Sequence, residues 1–230
     1  MTILLLETAT SVCSVALVRD GRTIACRRSD EPNVHSSKLA LFIDEIFKES
    51  GLTPKALDAV CVSSGPGSYT GLRIGVSTAK GFCYALGIPL LSVPTLQNMA
   101  TLYFDTHPGY GGIVCPMIDA RRMECYTAIF NREGMLRATE AEVVEAGLYD
   151  KWLDKGEVVF VGDGAAKAYE VLKVHPNASI DRDFVISAEG MKNLAARKLE
   201  EGEKEDVAYF EPFYLKDFVA KKSVVHGLRG

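Results

Sequence analysis

A glycine-rich stretch at positions 63–71, SSGPGSYTG, is the first candidate for chemistry. Its glycines and proline predict a loop before a helix, and such loops can bind phosphate through backbone N–H groups and the positive end of the helix dipole. The stretch lacks the G-K-[ST] ending of a P-loop, and Arg73 falls inside the helix instead. Ser68 also lacks the G-x-S-x-G spacing of a nucleophile elbow. Two interpretations remain, a phosphate cradle and a tight structural turn, and the residues favour the turn.

Hydroxyl groups gather at the end of the first apolar run, in the sequence ETATS at positions 7–11. Hydroxyls and backbone amides in a hairpin turn can face a phosphate, but they can equally cap their own backbone. A vestigial nucleotide cleft would draw on this turn and on a second motif near position 120. Its candidate residues are Glu7, Thr8, Thr10, Ser11, Asp119 and Arg121.

The second motif places Asp119 beside Arg121 and Arg122 at the end of a predicted strand. Two guanidiniums could bind an anion through paired hydrogen bonds. The same residues could instead form an exposed ion pair, which contributes little to stability. Both interpretations are open at this point.

Metal and thiol chemistry find little support in the sequence. The four histidines stand at positions 35, 107, 175 and 226, so no H-x-x-x-H or H-E-x-x-H pair exists. None of the six cysteines forms a C-x-x-C pair, which predicts small buried apolar residues in a reducing compartment. We therefore expect no bound metal and no required cofactor.

Charge and hydropathy limit the class of partner. The formal net charge is −4, whereas proteins that grip nucleic acid alone usually show a basic surface. The apolar start MTILLLETAT has no basic leader and no cleavage site, and no apolar run approaches the roughly 20 residues needed to span a bilayer. We expect a cytoplasmic protein without a membrane segment.

Apolar periodicity divides the first hundred residues into strands and helices. Alternation and the hairpin signal Asp20-Gly21 predict three antiparallel strands at 3–6, 12–18 and 22–27. Helical spacing predicts a helix at 35–50 that ends at Gly51. The other elements predicted here are a short helix opened by Thr53-Pro54, a strand at 58–63, a helix at 72–86 and a strand at 88–93.

The second half repeats this pattern less regularly. Its predicted elements are a helix at 95–104, strands at 113–119 and 124–130, a hairpin turn at 131–134, a helix at 141–153, a strand at 157–161, a helix at 164–172 and a last helix from Ser187 to 201. Mixed sheets flanked by helices in two halves predict a two-lobed α/β protein. The order β-β-β-α-β-α is that of the actin-like and ribonuclease H-like superfamily. We assign residues 1–99 to the first lobe, completed by about 210–230, and residues 100–209 to the second.

Several segments together resemble the TsaB (YeaZ) family. They are ILLLETATSVCSVALV (3–18), HSSKLALFIDEIF (35–47), SSGPGSYTGLRIGVSTAKGFCYALGIPLLSVPTL (63–96), MIDARRMECYTAIF (117–130), GDGA (162–165) and EPFYLK (211–216). The resemblance implies a two-lobed actin-like (ASKHA) fold. Two residues depart from its pattern: Glu7 replaces an expected aspartate, and Lys216 replaces an expected arginine. Beyond Phe218 the tail VAKKSVVHGLRG matches nothing in the family, and we expect it to be poorly ordered.

The resemblance implies a non-catalytic scaffold subunit of the complex that attaches threonylcarbamoyl to the adenosine beside the anticodon of tRNA. The implied partners are the metal-containing TsaD transferase paralogue and the TsaE ATPase, with a homodimer when the chain is alone. The chain would contact tRNA only as part of the complex, and it would bind nucleotide weakly at most. The alternatives are a free-standing actin-like ATPase or kinase and a metallopeptidase, the latter opposed by the histidine spacing.

The family resemblance also places partner and self contacts on the helices at 35–50 and 71–86. Gly71, Gly75 and Ala79 recur at helical spacing and predict a smooth strip against which something packs closely. The candidate interface residues are His35, Ser36, Leu39, Phe42, Ile46, Ser68, Tyr69, Gly71, Arg73, Ile74, Gly75, Ser77 and Thr78.

Overall fold

Two five-stranded sheets form the framework of the part of the chain, residues 1–31 and 34–216, that the computed structural model describes. The first sheet contains β1 (Thr2–Glu7), β2 (Cys13–Arg19), β3 (Arg22–Ser29), β4 (Ala59–Ser63) and β5 (Leu90–Val93), in the order β3-β2-β1-β4-β5. The second contains β6 (Ile113–Asp119), β7 (Glu124–Asn131), β8 (Gly134–Val143), β9 (Val158–Val161) and β10 (Ala178–Asp181), in the order β10-β9-β6-β7-β8.

The two sheets share one topology. In each, the first three strands form an antiparallel meander, and the fourth and fifth add parallel strands on the other side of the first. This duplicated strand order is the actin-like arrangement, so the predicted fold class of mixed sheets flanked by helices is confirmed. The repeat is visible in the topology although no repeat is visible in the sequence.

Seven α-helices cover the sheets in the described ranges. They are α1 (His35–Ser50), α2 (Tyr69–Leu86), α3 (Thr95–Thr106), α4 (Asp150–Leu153), α5 (Asp163–Lys167), α6 (Tyr169–Leu172) and α7 (Lys192–Glu200). Two short 3₁₀ helices, Pro54–Ala56 and Ala188–Met191, complete the set. Across this part of the chain, no helix combines the length and the apolar character that a bilayer crossing requires.

The first sheet is buried on both faces, which explains the continuous apolar sequence of its central strand. Leu4 and Leu6 face a core built with α1 and α2. Ile3 and Leu5 face the opposite core, which includes Ala195 of α7. Strands buried on both sides are expected to be apolar without alternation. Because 188–200 packs on this sheet, the chain returns to the first lobe well before the predicted point near residue 210.

The segment after α7 runs across the first lobe to the second. Its backbone pairs with the edge of β5 where Glu205 N–H donates to the Leu90 carbonyl. Further on, Phe213 N–H donates to the Ser64 carbonyl over 2.7 Å. Lys216 then forms an ion pair with Glu124 of the second sheet. The predicted disorder beyond Phe218 falls outside the described residues.

The helix predicted at 141–153 is wrong over most of its length. Strand β8 continues to Val143, because it pairs with β7 along the whole hairpin, from Asn131↔Gly134 to Glu124↔Val143. Gly147 then takes a left-handed φ of +85°, which would interrupt a helix, and only α4 remains helical. Local helical spacing was overridden here by cross-strand pairing.

Other differences are smaller. The helix predicted at 72–86 begins at Tyr69, because the Ser68 hydroxyl caps it by accepting the Gly71 N–H. The helix predicted at 164–172 is divided into α5 and α6. The helix expected from Ser187 opens as a 3₁₀ turn before α7, in keeping with its weak first turn. Edge strand β10 is short and half-buried and was not predicted.

The glycines of α2 let this helix lie directly on the turn between β1 and β2. A Cβ atom at Gly71 would lie 2.0 Å from the Thr8 carbonyl oxygen. One at Gly75 would lie 2.2 Å from Thr8 Oγ1. Gly81, two turns further along the same helix, has nothing within 4 Å of its Cβ position. The close packing predicted from the glycine spacing therefore exists, but the chain's own turn occupies it.

We predict that Gly71→Ala and Gly81→Ala have opposite effects on stability. The first substitution forces a methyl group onto backbone, so the free energy of unfolding should fall by about 1–3 kcal/mol. The second substitution only improves helix propensity, so the free energy of unfolding should rise by up to about 1 kcal/mol. Urea unfolding of the two variants beside the wild type measures both values. Equal shifts in one direction would contradict the close contact at Gly71.

Candidate functional site

Glu7 is the most enclosed ionisable group of the candidate site. It ends β1 and is fully buried. Its Oε1 accepts the Ala9 N–H over 2.8 Å, and its Oε2 accepts the Asn98 side-chain amide over 2.6 Å and the Ser63 hydroxyl. Ser63 ends β4 and Asn98 lies on α3, so one carboxyl group joins three elements.

Burial raises the pKa of Glu7 above its ordinary value, and the hydrogen bonds that it accepts oppose the rise. No lysine, arginine or histidine in residues 1–31 and 34–216 forms an ion pair with it. Burying a carboxylate without a cation beside it costs free energy, so burial favours the protonated form of Glu7. Glu7 is therefore a hydrogen-bonded interior group.

The hydroxyls of the same turn are also directed inward. Thr8 is fully buried, and its Oγ1 finds no hydrogen-bond partner among the described residues. Thr10 is buried, and its Oγ1 accepts the Val12 N–H over 3.1 Å. Ser11 alone is exposed. This corrects the assignment of Glu7, Thr8 and Thr10 to a nucleotide cleft, because α2 covers the turn and leaves these side chains no access to a phosphate.

Three backbone N–H groups at the helix end of the glycine-rich loop already donate hydrogen bonds within the chain. Ser68 N–H donates to the Ala9 carbonyl over 2.6 Å. Gly71 N–H donates to the Ser68 hydroxyl, and Leu72 N–H donates to the Ser68 carbonyl. A Cβ at Gly67 would lie 2.1 Å from the Ala9 carbonyl oxygen. The structure supports the tight-turn interpretation of this loop.

Asp119 and Arg121 lie on the second sheet, apart from the buried turn. The Asp119 carboxylate accepts the Arg121 backbone N–H over 2.7 Å and a bond from Lys167. Its own backbone N–H donates to Asp163 over 3.0 Å. The side chain of Arg121 is exposed. Lys167 and Asp163, 48 and 44 residues away from Asp119, are partners that no local pattern indicates.

The interface predicted on α1 is corrected at four positions. His35, Leu39, Phe42 and Ile46 are buried, and the last three belong to the core between α1, α2 and the first sheet. His35 Nε2 lies 3.2 Å from the Val12 carbonyl oxygen. These residues face inward because the apolar side of an amphipathic helix packs on the sheet. Of the predicted α1 residues only Ser36 is exposed.

On α2 only some of the predicted interface residues are exposed. Gly71 and Gly75 are buried against the turn, so they are not surface contacts. Ile74 and Thr78 are half-buried; Ile74 packs against the core, and the Thr78 hydroxyl bonds to the Ile74 carbonyl. The residues of the prediction that are exposed are Ser68, Arg73 and Ser77. Tyr69 is half-buried.

Aromatic contacts tie the start of α2 to the C-terminal segment. The ring centroids of Tyr69 and Tyr214 lie 4.9 Å apart. The Arg73 guanidinium lies over the Tyr69 ring, 4.8 Å from its centroid. Cation–π geometry of this kind is favourable even at exposed sites. No local pattern in the sequence indicates the contact between Tyr214 and this helix.

One feature of α2 was not predicted from the sequence, a line of exposed residues along one side of the helix. Thr70, Arg73, Ser77, Gly81 and Tyr84 are all exposed and recur at intervals of three or four residues, so they form one line along the helix. We call this line the α2 strip. Tyr84 is 86% exposed, and Arg73 is the one charged residue in the strip. The spacing of these residues predicts the strip once Gly71 and Gly75 are assigned to the buried side of the helix.

Cysteine and metal chemistry remain unsupported. Five of the six cysteines are buried and Cys26 is half-buried, and burial raises the pKa of Cys13 and Cys83 to about 11. Such thiols stay protonated and unreactive near neutral pH. In the described ranges no group of three His, Cys, Asp or Glu side chains could hold a metal ion. That the protein contains no metal stays a prediction.

The buried Glu7 predicts an unusual pH dependence of stability. A carboxyl whose pKa is raised on folding favours the folded state most below its unfolded pKa, and this advantage is lost as the pH rises through the folded pKa. Glu7→Gln cannot ionise. Its stability relative to the wild type should therefore increase as the pH rises from about 4.5 to about 7.

Urea unfolding at several pH values measures this difference, with the exposed Glu133→Gln as the matched removal of a carboxyl group. A difference between Glu7→Gln and wild type that stays constant with pH would contradict the raised pKa of Glu7.

Comparisons with known proteins agree on one family. A family model described as TsaD, tRNA N6-adenosine threonylcarbamoyltransferase, matches residues 32–224. The Escherichia coli K12 protein "tRNA threonylcarbamoyladenosine biosynthesis protein TsaB" is 31% identical over 97% of this chain and 98% of its own length. The Bacillus subtilis protein of the same name is 33% identical over 59% of this chain and 58% of its own length. The solved structure of YeaZ from Pseudomonas aeruginosa gives a TM-score of 0.80 at 28% identity, covering 93% of this chain and 99% of that one. The chain therefore belongs to the TsaB (YeaZ) family of tRNA threonylcarbamoyladenosine biosynthesis proteins, whose domain is related to that of TsaD.

Proposed function

We propose that this chain is a non-catalytic scaffold subunit of the tRNA threonylcarbamoyladenosine (adenosine-37) modification complex, which binds and supports the TsaD transferase together with TsaE. One observation carries the proposal. Glu7, Thr8 and Thr10, which an ancestral phosphate site would use, are buried inside the protein, while α2 presents a nearly uncharged strip to solvent.

The match to a transferase family model does not by itself make this chain an enzyme. No pair of its four histidines has the spacing of a helical metal site. The N–H groups of Ser68, Gly71 and Leu72 donate to Ala9 and Ser68, so these three groups are not available to a phosphate. A metallopeptidase would need the first kind of group, and a free-standing ATPase or kinase would need the second. On the proposal the chain needs no cofactor, binds nucleotide weakly at most, and acts in a cytoplasmic complex.

The composition of the α2 strip suits a protein partner. A helix face with hydroxyls, glycine and one large aromatic ring is less costly to desolvate than a charged face. The strip ends beside an open groove of about 1060 Å³, lined in part by Tyr84, Ile88 and Val207. Exposed tyrosines next to apolar grooves are frequent anchors of interfaces. We assign TsaD binding to this face, and homodimer formation to the same face when TsaD is absent.

Ser77→Arg should weaken binding to the TsaD paralogue of the same organism at least tenfold, about 1.4 kcal/mol. Ser77 lies in the middle of the strip, and a long charged side chain there must be desolvated or must separate the two surfaces. Titration of the purified proteins by calorimetry or sedimentation measures the affinity.

The matched control is Asn193→Arg, which adds the same side chain at an exposed position of α7. Both variants should melt within a few degrees of the wild type, because both sites are exposed. Equal affinities of the two variants for TsaD would place the interface elsewhere.

A further inference from the structure

The turn between β6 and β7 has an unusual backbone. Arg121 and Arg122 adopt left-handed φ angles of +74° and +51°. This region suits glycine and asparagine, whereas other residues pay a steric cost there. The turn is closed by hydrogen bonds between Ala120 N–H and the Glu124 carbonyl and between Glu124 N–H and the Arg121 carbonyl. Two adjacent arginines therefore adopt backbone conformations that asparagine and glycine adopt at lower cost.

The carboxylates around this turn are occupied by other groups. Asp119 forms an ion pair with Lys167, and Glu124 forms one with Lys216. Asp163 accepts the Asp119 backbone N–H. Neither guanidinium has a hydrogen bond or ion pair with any residue in 1–31 or 34–216. The ion-pair interpretation of the Asp119-Arg121-Arg122 motif is therefore wrong in the described structure, and two exposed guanidiniums remain.

Comparison of the two sheets shows why this turn is accessible. The β6–β7 turn is the counterpart of the β1–β2 turn in the duplicated topology. In the first lobe, the long helix α2 covers the turn. In the second lobe, the helix that follows β9 is α5, which has only five residues. The turn consequently projects its two arginines into solvent.

We propose that Arg121 and Arg122 form a contact site for the phosphate backbone of RNA. Guanidinium pairs match phosphate oxygens in geometry and charge. Both arginines are exposed on a hairpin turn, whereas small nucleotides are bound in concave pockets, so a polyanion that lies across the surface fits the pair better. The choice of RNA rests on the proposed role in tRNA modification. With a net charge of −4, the chain adds phosphate contacts to a complex and does not bind RNA tightly alone.

The double substitution Arg121→Asn/Arg122→Gly tests the site. Asparagine and glycine adopt positive φ at lower cost than arginine, so the variant should fold as well as the wild type or better while losing both charges. The control Arg19→Gln/Lys55→Gln removes two exposed charges from the first lobe and so gives the same net charge. The probe is a fluorescein-labelled anticodon stem-loop RNA, and binding to the full chain is followed by anisotropy between about 50 and 200 mM salt.

The turn variant should bind the RNA at least fivefold more weakly at the lowest salt concentration. The slope of log affinity against log salt should shrink by about 1.4–1.8, the value for two lost phosphate contacts, and the control should match the wild type. Equal binding by the turn variant and the control, or no measurable binding by the wild type at about 50 mM salt, would overturn the proposal. So would ATP binding that disappears in the turn variant while RNA binding persists.

The test is independent of TsaD binding. The turn variant should bind the TsaD paralogue as the wild type does, and Ser77→Arg should bind the RNA as the wild type does. Failure of the arginine site and failure of the α2 interface would thus be seen separately.

Discussion

The close approach of glycine backbone to the first strand of each sheet, or to the turn that follows that strand, is the contact on which this structure depends. In the first lobe, Gly67 and Gly71 touch the backbone of Ala9 and Thr8. In the second, Gly162 would place a Cβ 2.5 Å from the Met117 carbonyl oxygen, and Gly164 packs on the same strand. Both loops follow the fourth strand of their sheet. A side chain at any of these positions would push the following helix away from the sheet, so both lobes use one solution to the same packing problem.

This packing also decides what the polar residues can do. Because α2 lies on the β1–β2 turn, Glu7 cannot reach solvent and satisfies its oxygens with Ser63, Asn98 and Ala9. A glutamate in this turn suggests phosphate or metal chemistry, but Glu7 is a buried hydrogen-bond acceptor that joins β1, β4 and α3. The glycine side of α2 packs on the interior, and its other side is exposed to solvent. In the second lobe a short helix leaves the corresponding turn exposed, and the two lobes thereby acquire different surfaces from one topology.

The sequence predicted those features that depend on local pattern. Helix α1 has the predicted bounds His35–Ser50, and the Asp20-Gly21 hairpin is confirmed, because amphipathic spacing and turn residues act over short distances. The last residues of β8, from 141 to 143, were assigned to a helix at 141–153, since cross-strand pairing with β7 outweighs local spacing. The partners of Glu7 could not be predicted, because Ser63 and Asn98 lie 56 and 91 residues away. Apolar spacing identified α1 correctly and marks Leu39, Phe42 and Ile46 as its core side, whereas the interface assignment that the family resemblance implied placed these residues at the surface.

The central claim is that the exposed face of α2 binds the TsaD transferase subunit. Incorporation of a photo-crosslinking amino acid at Tyr84 tests it most directly, with the same amino acid at Val174 as the control, since these side chains are 86% and 74% exposed on different lobes. After irradiation of the purified mixture, the account predicts a covalent adduct with TsaD from position 84 and none from position 174. An adduct from position 174 alone, under conditions where the complex forms, would contradict it.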